Sequence, residues 1–211
     1  INADITTTGD QTYEGDVTLG GTNATITLTA NDGSNNSTVT FNDKVIGGSN
    51  SLTIDGKAVF GNDEDDTVAG VDELKVTGAA EFNGTVEVAS LAVSGTSAIN
   101  GASITTTGTQ TYDGAVTLGA DITLSATDAD IQFDLALDGN YNLTLIAGSG
   151  NITFSDTVGA TNPLGVINIT SGATVQFAES VTATGAILVT SAKDVNFTGD
   201  VSAASFTQNA G

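Results

Sequence analysis

The chain has 211 residues, of which 39% are hydrophobic and only 5% aromatic, with 26 Gly, one Pro and no Cys, Met, Trp, His or Arg. Twenty-five Asp and Glu stand against four Lys, a formal net charge of −21. Thiol chemistry, imidazole acid–base catalysis and the usual zinc or copper sites are therefore excluded, nucleic acid is disfavoured because phosphate repels so acidic a surface, and no apolar run approaches the roughly 20 residues that cross a bilayer.

The first predicted element is the alternating run 5–19. Its odd positions include Ile5, Tyr13, Val17 and Leu19, and its even positions, from Thr6 to Thr18, are all polar. That is a strand pattern with one buried and one wet face. An aromatic followed four residues later by Val then recurs as Phe41/Val45, and a segment rich in Gly, Asn and Asp at 31–37 precedes it as an insertion. Phe60 opens a variant, FGNDEDDTV, in which Val68 arrives four residues late. Ala80, Phe82, Gly84, Val86 and Val88 share one face, opposite Glu81, Asn83, Thr85 and Glu87; Ile99 then takes the aromatic's place in a weaker copy.

Residues 104–119, ITTTGTQTYDGAVTLG, repeat residues 5–20, ITTTGDQTYEGDVTLG, with 13 of 16 positions identical at an offset of 99. The chain thus divides into two sequence repeats, about 1–103 and 104–211. From Tyr112 the aromatics return at Phe133, Phe154, Phe177 and Phe197, about one every twenty residues. No stretch has a 3.6-residue period, and richness in Thr, Val and Gly disfavours helix.

A sandwich of antiparallel strands explains the alternation but not the return of one side-chain type every twenty residues. A β-solenoid explains both, because each period is one coil and like residues stack on like. The expectation is an all-β, right-handed parallel β-helix of 9–10 coils, a rod very roughly 45 Å long at ~4.8 Å per coil. Tyr112 and the four Phe after it should form one inward column. Two spacings fit badly: thirteen residues from Ile99 to Tyr112 imply a short junction coil, and twenty-eight from Tyr13 to Phe41 imply the insertion.

The blocks 94–124 and 5–19, and the string TQTYDGAVTLGA in particular, resemble the tandem repeats of very large bacterial surface proteins, the filamentous-haemagglutinin-like adhesins and related β-strand repeat exoproteins. The resemblance covers nearly the whole chain. It implies a right-handed parallel β-helix, export to the cell surface or beyond, and a role as stalk, fibre or adhesive surface, with no catalytic residues to carry over. Ile1, without an initiator Met or a signal segment, reads as the start of a processed product or of a piece of something longer.

Four groups of residues invite a chemical reading. Asp63, Glu64, Asp65 and Asp66 crowd into one inserted turn, with Asp72 and Glu73 close behind. Oxygen donors at that density suit Ca²⁺, and a solvated acidic loop accounts for them equally. Thr-x-Thr strings (Thr25, Thr27, Thr29) are the type that orders water on flat solenoids. They are also ordinary outward strand residues, and Asp55, Lys75, Asn168 and Leu188 should interrupt any such ladder. Among the carboxylates, Asp128, Asp130 and Asp134, or Asp10 and Asp16, lie close enough in sequence for glycosidic hydrolysis. No Arg or His accompanies them, and Lys44, Lys57, Lys75 and Lys193 fall in separate coils. Tyr13 and Tyr112 are read as core rings whose hydroxyls meet Gln11 and Gln110, against the alternative of a sugar platform.

The functional expectation is a non-catalytic structural segment of a bacterial extracellular or cell-surface fibre, a stiff spacer and assembly surface. Its partners are copies of itself or neighbouring repeats, and cell-surface or matrix glycans; its one candidate cofactor is calcium. The alternatives are a calcium-assisted filament or sheath subunit and a carbohydrate-binding adhesin module, with a polysaccharide-active enzyme last.

Overall fold

The computed structural model describes residues 1–31 and 37–209, all strands, bends and turns without a helix. The predicted insertion at 31–37 lies mostly outside the described residues. Every strand pairing is parallel, and partners are about one coil apart in sequence, as Phe133↔Phe154 and Leu124↔Leu145 show. This is a β-solenoid of ten coils with three faces.

Each face is a ladder that can be followed by one inward residue per coil. The first face carries Ile5, Leu28, Ile54, Val76, Val93, Tyr112, Phe133, Phe154, Phe177 and Phe197. The second carries Gln11, Val39, Ala58, Ala80, Ser97, Val116, Leu137, Val158, Val181 and Val201. The third begins at Val17, Val45, Val68, Val86 and Ile104 and continues through Leu124, Leu145, Ile169 and Val189 to Gln208. Nearly all of these residues are buried away from the terminal coils. Apolar area leaves water only because a neighbouring coil covers it.

The expected column forms, and the rings of the first half make a second one. Tyr112, Phe133, Phe154, Phe177 and Phe197 stack face to face with centroids 5.1, 4.9, 4.6 and 4.8 Å apart. Tyr13, Phe41, Phe60 and Phe82 form a second stack, at 5.1, 5.4 and 5.4 Å. These separations follow the inter-strand distance of ~4.8 Å. The first-half column stands on the second face and the other on the first face, because Phe82 pairs onward with Ile99 and Ile99 with Leu118, whereas Tyr112 pairs with Val93.

This arrangement removes the expected short coil. Ile99 and Tyr112 occupy different faces of adjacent coils; Val93 to Tyr112 and Ile99 to Leu118 are each nineteen residues, an ordinary turn. The rung holding Val93, Ile99 and Ile104 has no ring, so an aliphatic layer separates the two columns.

The duplicated block is accordingly used twice in different places. In the first copy, Ile5 lies on the first face, Tyr13 on the second and Val17 on the third. In the second copy, Ile104 lies on the third face, Tyr112 on the first and Val116 on the second. The same string therefore wraps a different pair of corners.

Candidate functional site

The block tolerates this displacement because its hydrogen bonds are internal to it or made to backbone. Gln11 Nε2 donates to Ile5 O at 3.3 Å, to Thr7 Oγ1 at 3.2 Å and to Thr29 O of the next coil at 2.9 Å, while Tyr13 Oη donates to Gln11 Oε1 at 2.9 Å. Gln110 repeats the set with Ile104 O (3.2 Å), Thr106 Oγ1 (3.4 Å) and Ser125 O (2.8 Å), and Tyr112 Oη donates to Gln110 Oε1 at 3.2 Å. Thr7 and Thr106 Oγ1 each donate to the carbonyl of a corner glycine, Gly9 or Gly108. Tyr112 is fully buried, and burial pushes its hydroxyl well above the usual phenol range. Tyr13, half-buried on the first coil, is raised for the same reason. The two tyrosines belong to the core, and Tyr112 offers no ring face to a sugar.

Most candidate carboxylates turn out to hold one coil to the next. Asp10 Oδ1 accepts the Thr38 N–H at 2.8 Å, Asp128 Oδ1 that of Ser149 at 2.9 Å, and Asp130 Oδ1 that of Asn151 at 2.7 Å. Asp134 accepts instead from Gln132 Nε2 at 2.6 Å. Three staples of this kind escaped the sequence reading: Asp4 to Thr27 N, Asp121 to Asn142 N, and Asp138 to Thr161 and Asn162 N. In each case the aspartate caps the coil that follows it. The Asn142 amide N–H, on the backbone and then on the side chain, holds the exposed Asp121 carboxyl below the usual carboxylate range. For some of the staples there was a signal in the spacing: Asp121/Asn142, Asp128/Ser149 and Asp130/Asn151 are all separated by 21 residues, one coil, whereas Asp4/Thr27 and Asp138/Thr161 are 23 apart.

The acidic turn at 61–66 is built around its own backbone. Asp66, buried, accepts the N–H groups of Asn62 (2.9 Å) and Asp63 (3.3 Å) on Oδ2, and Asp63 Oδ1 accepts that of Asp65 at 2.9 Å. Gly61 supports the turn with φ 80°, a conformation glycine adopts without strain. Glu64 points to solvent beside them. Among the described residues no group of three or more Asp and Glu side chains converges into a metal-binding set.

The Thr strings are outward, as the alternation requires, and they are interrupted where expected. Thr29 pairs with Asp55, Thr53 with Lys75, and Thr144 with Asn168 and then Leu188. Another residue the sequence reading missed is Asn50, fully buried at a corner. Its Oδ1 accepts the Ala24 N–H at 2.9 Å, and its Nδ2 donates to Gly47 O at 2.9 Å and Leu19 O at 3.3 Å. Only the preceding Gly-Gly-Ser marks it as a corner.

A surface groove of about 530 Å³ lies at the corner between the third and first faces. Asp72 and Glu87, Thr105 and Thr107 rim it, and Val88 and Ala89 form its floor. No family model, no curated protein and no solved structure matches the chain. The class defined by fold and surface is a repeat protein of stacked β-coils.

Proposed function

We propose that this chain is a structural segment of a bacterial extracellular or cell-surface fibre, akin to the haemagglutinin-like adhesins that its repeats resemble, acting as a stiff spacer and assembly surface without catalysis. The observation that carries the reading is the unbroken stacking of ten coils, in which side-chain columns and coil-to-coil hydrogen bonds run along the whole rod. A structure held together at every rung resists bending and local opening. The charge of −21 keeps parallel rods apart at low salt. The aspartates that a polysaccharide-cleaving site would need are largely occupied as staples, which favours the mechanical role over catalysis.

Immunogold labelling of the producing cells tests the placement: gold is expected on filaments at or beyond the outer surface, and label confined to the cytosol would reject it. Calcium dependence is tested by melting at matched ionic strength in sodium and calcium salts. The spacer reading expects equal melting temperatures, whereas a rise specific to calcium, abolished by Asp63→Asn with Asp65→Asn, would move the assignment to a calcium-assisted sheath subunit.

A further inference from the structure

The groove at the corner between the third and first faces has a structural origin. From Val86 to Val93 the chain needs seven residues to pass from one face to the next, and the strand Thr85–Val93 bends through the corner unbroken. The flanking turns take eight, from Val68 to Val76 and from Ile104 to Tyr112. One cut corner between two fuller ones leaves a notch whose lining runs from Ser49 across to Thr107.

Its lining has a particular chemistry. The floor is apolar, from Val88 and the half-buried Ala89, and the hydroxyls of Thr105 and Thr107 stand on one wall. Asp72 and Glu87 are exposed at the rim, and unlike the staple aspartates neither carboxylate accepts a hydrogen bond among the described residues. Asp72 contributes only its backbone carbonyl, to Ser90 Oγ at 3.5 Å. An apolar trough ending in uncompensated negative charge complements a side chain with an aliphatic stem and a cationic head.

We propose that this notch is a docking site for a lysine-bearing extended segment of a partner protein, the lysine stem lying on Val88 and Ala89 and its ammonium group between Asp72 and Glu87. A volume of about 530 Å³ accommodates a few residues of such a segment. The whole-molecule field brings cations near the rod in general; the notch is where stem and head are satisfied together. The inference is independent of the fibre reading, since it concerns one local site.

The test uses the full chain and a fluorescein-labelled hexapeptide alternating lysine and threonine, followed by fluorescence polarisation at low and at physiological ionic strength. Asp72→Asn with Glu87→Gln should weaken binding by about tenfold or more, as expected when charges contacting a partner are removed. Glu179→Gln with Asp194→Asn, on coils away from the notch, makes the same change in net charge and should leave affinity within about twofold. Ala89→Leu, which fills the floor and keeps the rim, should also weaken binding, and unchanged melting curves show that each variant is folded. Equal losses in the two double variants, an Ala89→Leu protein that binds normally, or no binding by the unaltered chain would each overturn the proposal.

Discussion

Phe154 shows what a single residue does in this architecture. Its ring lies 4.9 Å from that of Phe133 and 4.6 Å from that of Phe177, nearly parallel to both, and only 1% of it is exposed. Truncation leaves a void that rigid neighbouring coils cannot close, so Phe154→Ala should lower stability by about 3–5 kcal/mol. Thr153, one position earlier, points outward, and Thr153→Ala should stay within about 0.5 kcal/mol; chemical denaturation of both variants checks the pair, and equal effects would contradict the facing. Gln110 is the polar counterpart. Gln110→Leu leaves the Tyr112 hydroxyl and the Ile104 and Ser125 carbonyls without their partner in the core, a loss of about 1–3 kcal/mol or more. Ser97 reverses the sign: its buried Oγ has no hydrogen-bond partner among the described residues, so Ser97→Ala should stabilise the fold by up to about 1 kcal/mol, measured in the same way.

At the scale of the coil, the corners carry the constraints that the strands do not. Gly56, Gly78, Gly95 and Gly114 stack at the corner between the first and second faces, so close that a Cβ on Gly95 would come within 2.4 Å of the carbonyl carbon of Gly78. Backbone cannot move aside there without breaking the ladders on both sides, and Gly95→Ala should cost about 1–3 kcal/mol by overpacking, seen as a lowered melting temperature. One aspartate staple, Asp121, adds a pH dependence. Asp121 is ionised more readily folded than unfolded, so its contribution is fully present above the unfolded carboxylate pKa of about 3.9 and disappears as pH falls through the lower folded value. Melting curves of the unaltered chain and Asp121→Asn should therefore differ at neutral pH and converge in strong acid; a gap that persists unchanged at the acid end would deny the staple.

For the whole molecule, much was legible because the solenoid converts sequence period directly into space. Alternation in 80–88 assigned inside and outside correctly, and the twenty-residue return of Phe133, Phe154 and Phe177 assigned the stack. What failed was the assumption that equal residues must share a column. Tyr13 and Tyr112 match in sequence yet stand on different faces, since stacking compares a residue with whatever lies one turn away, and for Tyr112 that is Val93. The staples were hidden for a related reason: among 25 acidic residues, the few that bond to the next coil are distinguished only by what stands one coil later, which is 21 positions on for Asp121 and Asp130 but 23 for Asp4 and 28 for Asp10. The groove depends on one residue fewer at one corner, a difference that period-based reading averages away.

That displaced duplication sets a pitch. From Ile5 to Val93 the chain makes four complete circuits, and from Val93 to Ile104 it passes two sides of the next, so one 99-residue step advances 4⅔ circuits. Three such units in series, 3 × 99 = 297 residues, would make fourteen circuits before a motif regained its starting azimuth. Identical motifs would then climb the shaft like the thread of a screw, showing themselves by turns to neighbours on every flank instead of lining up along a single seam.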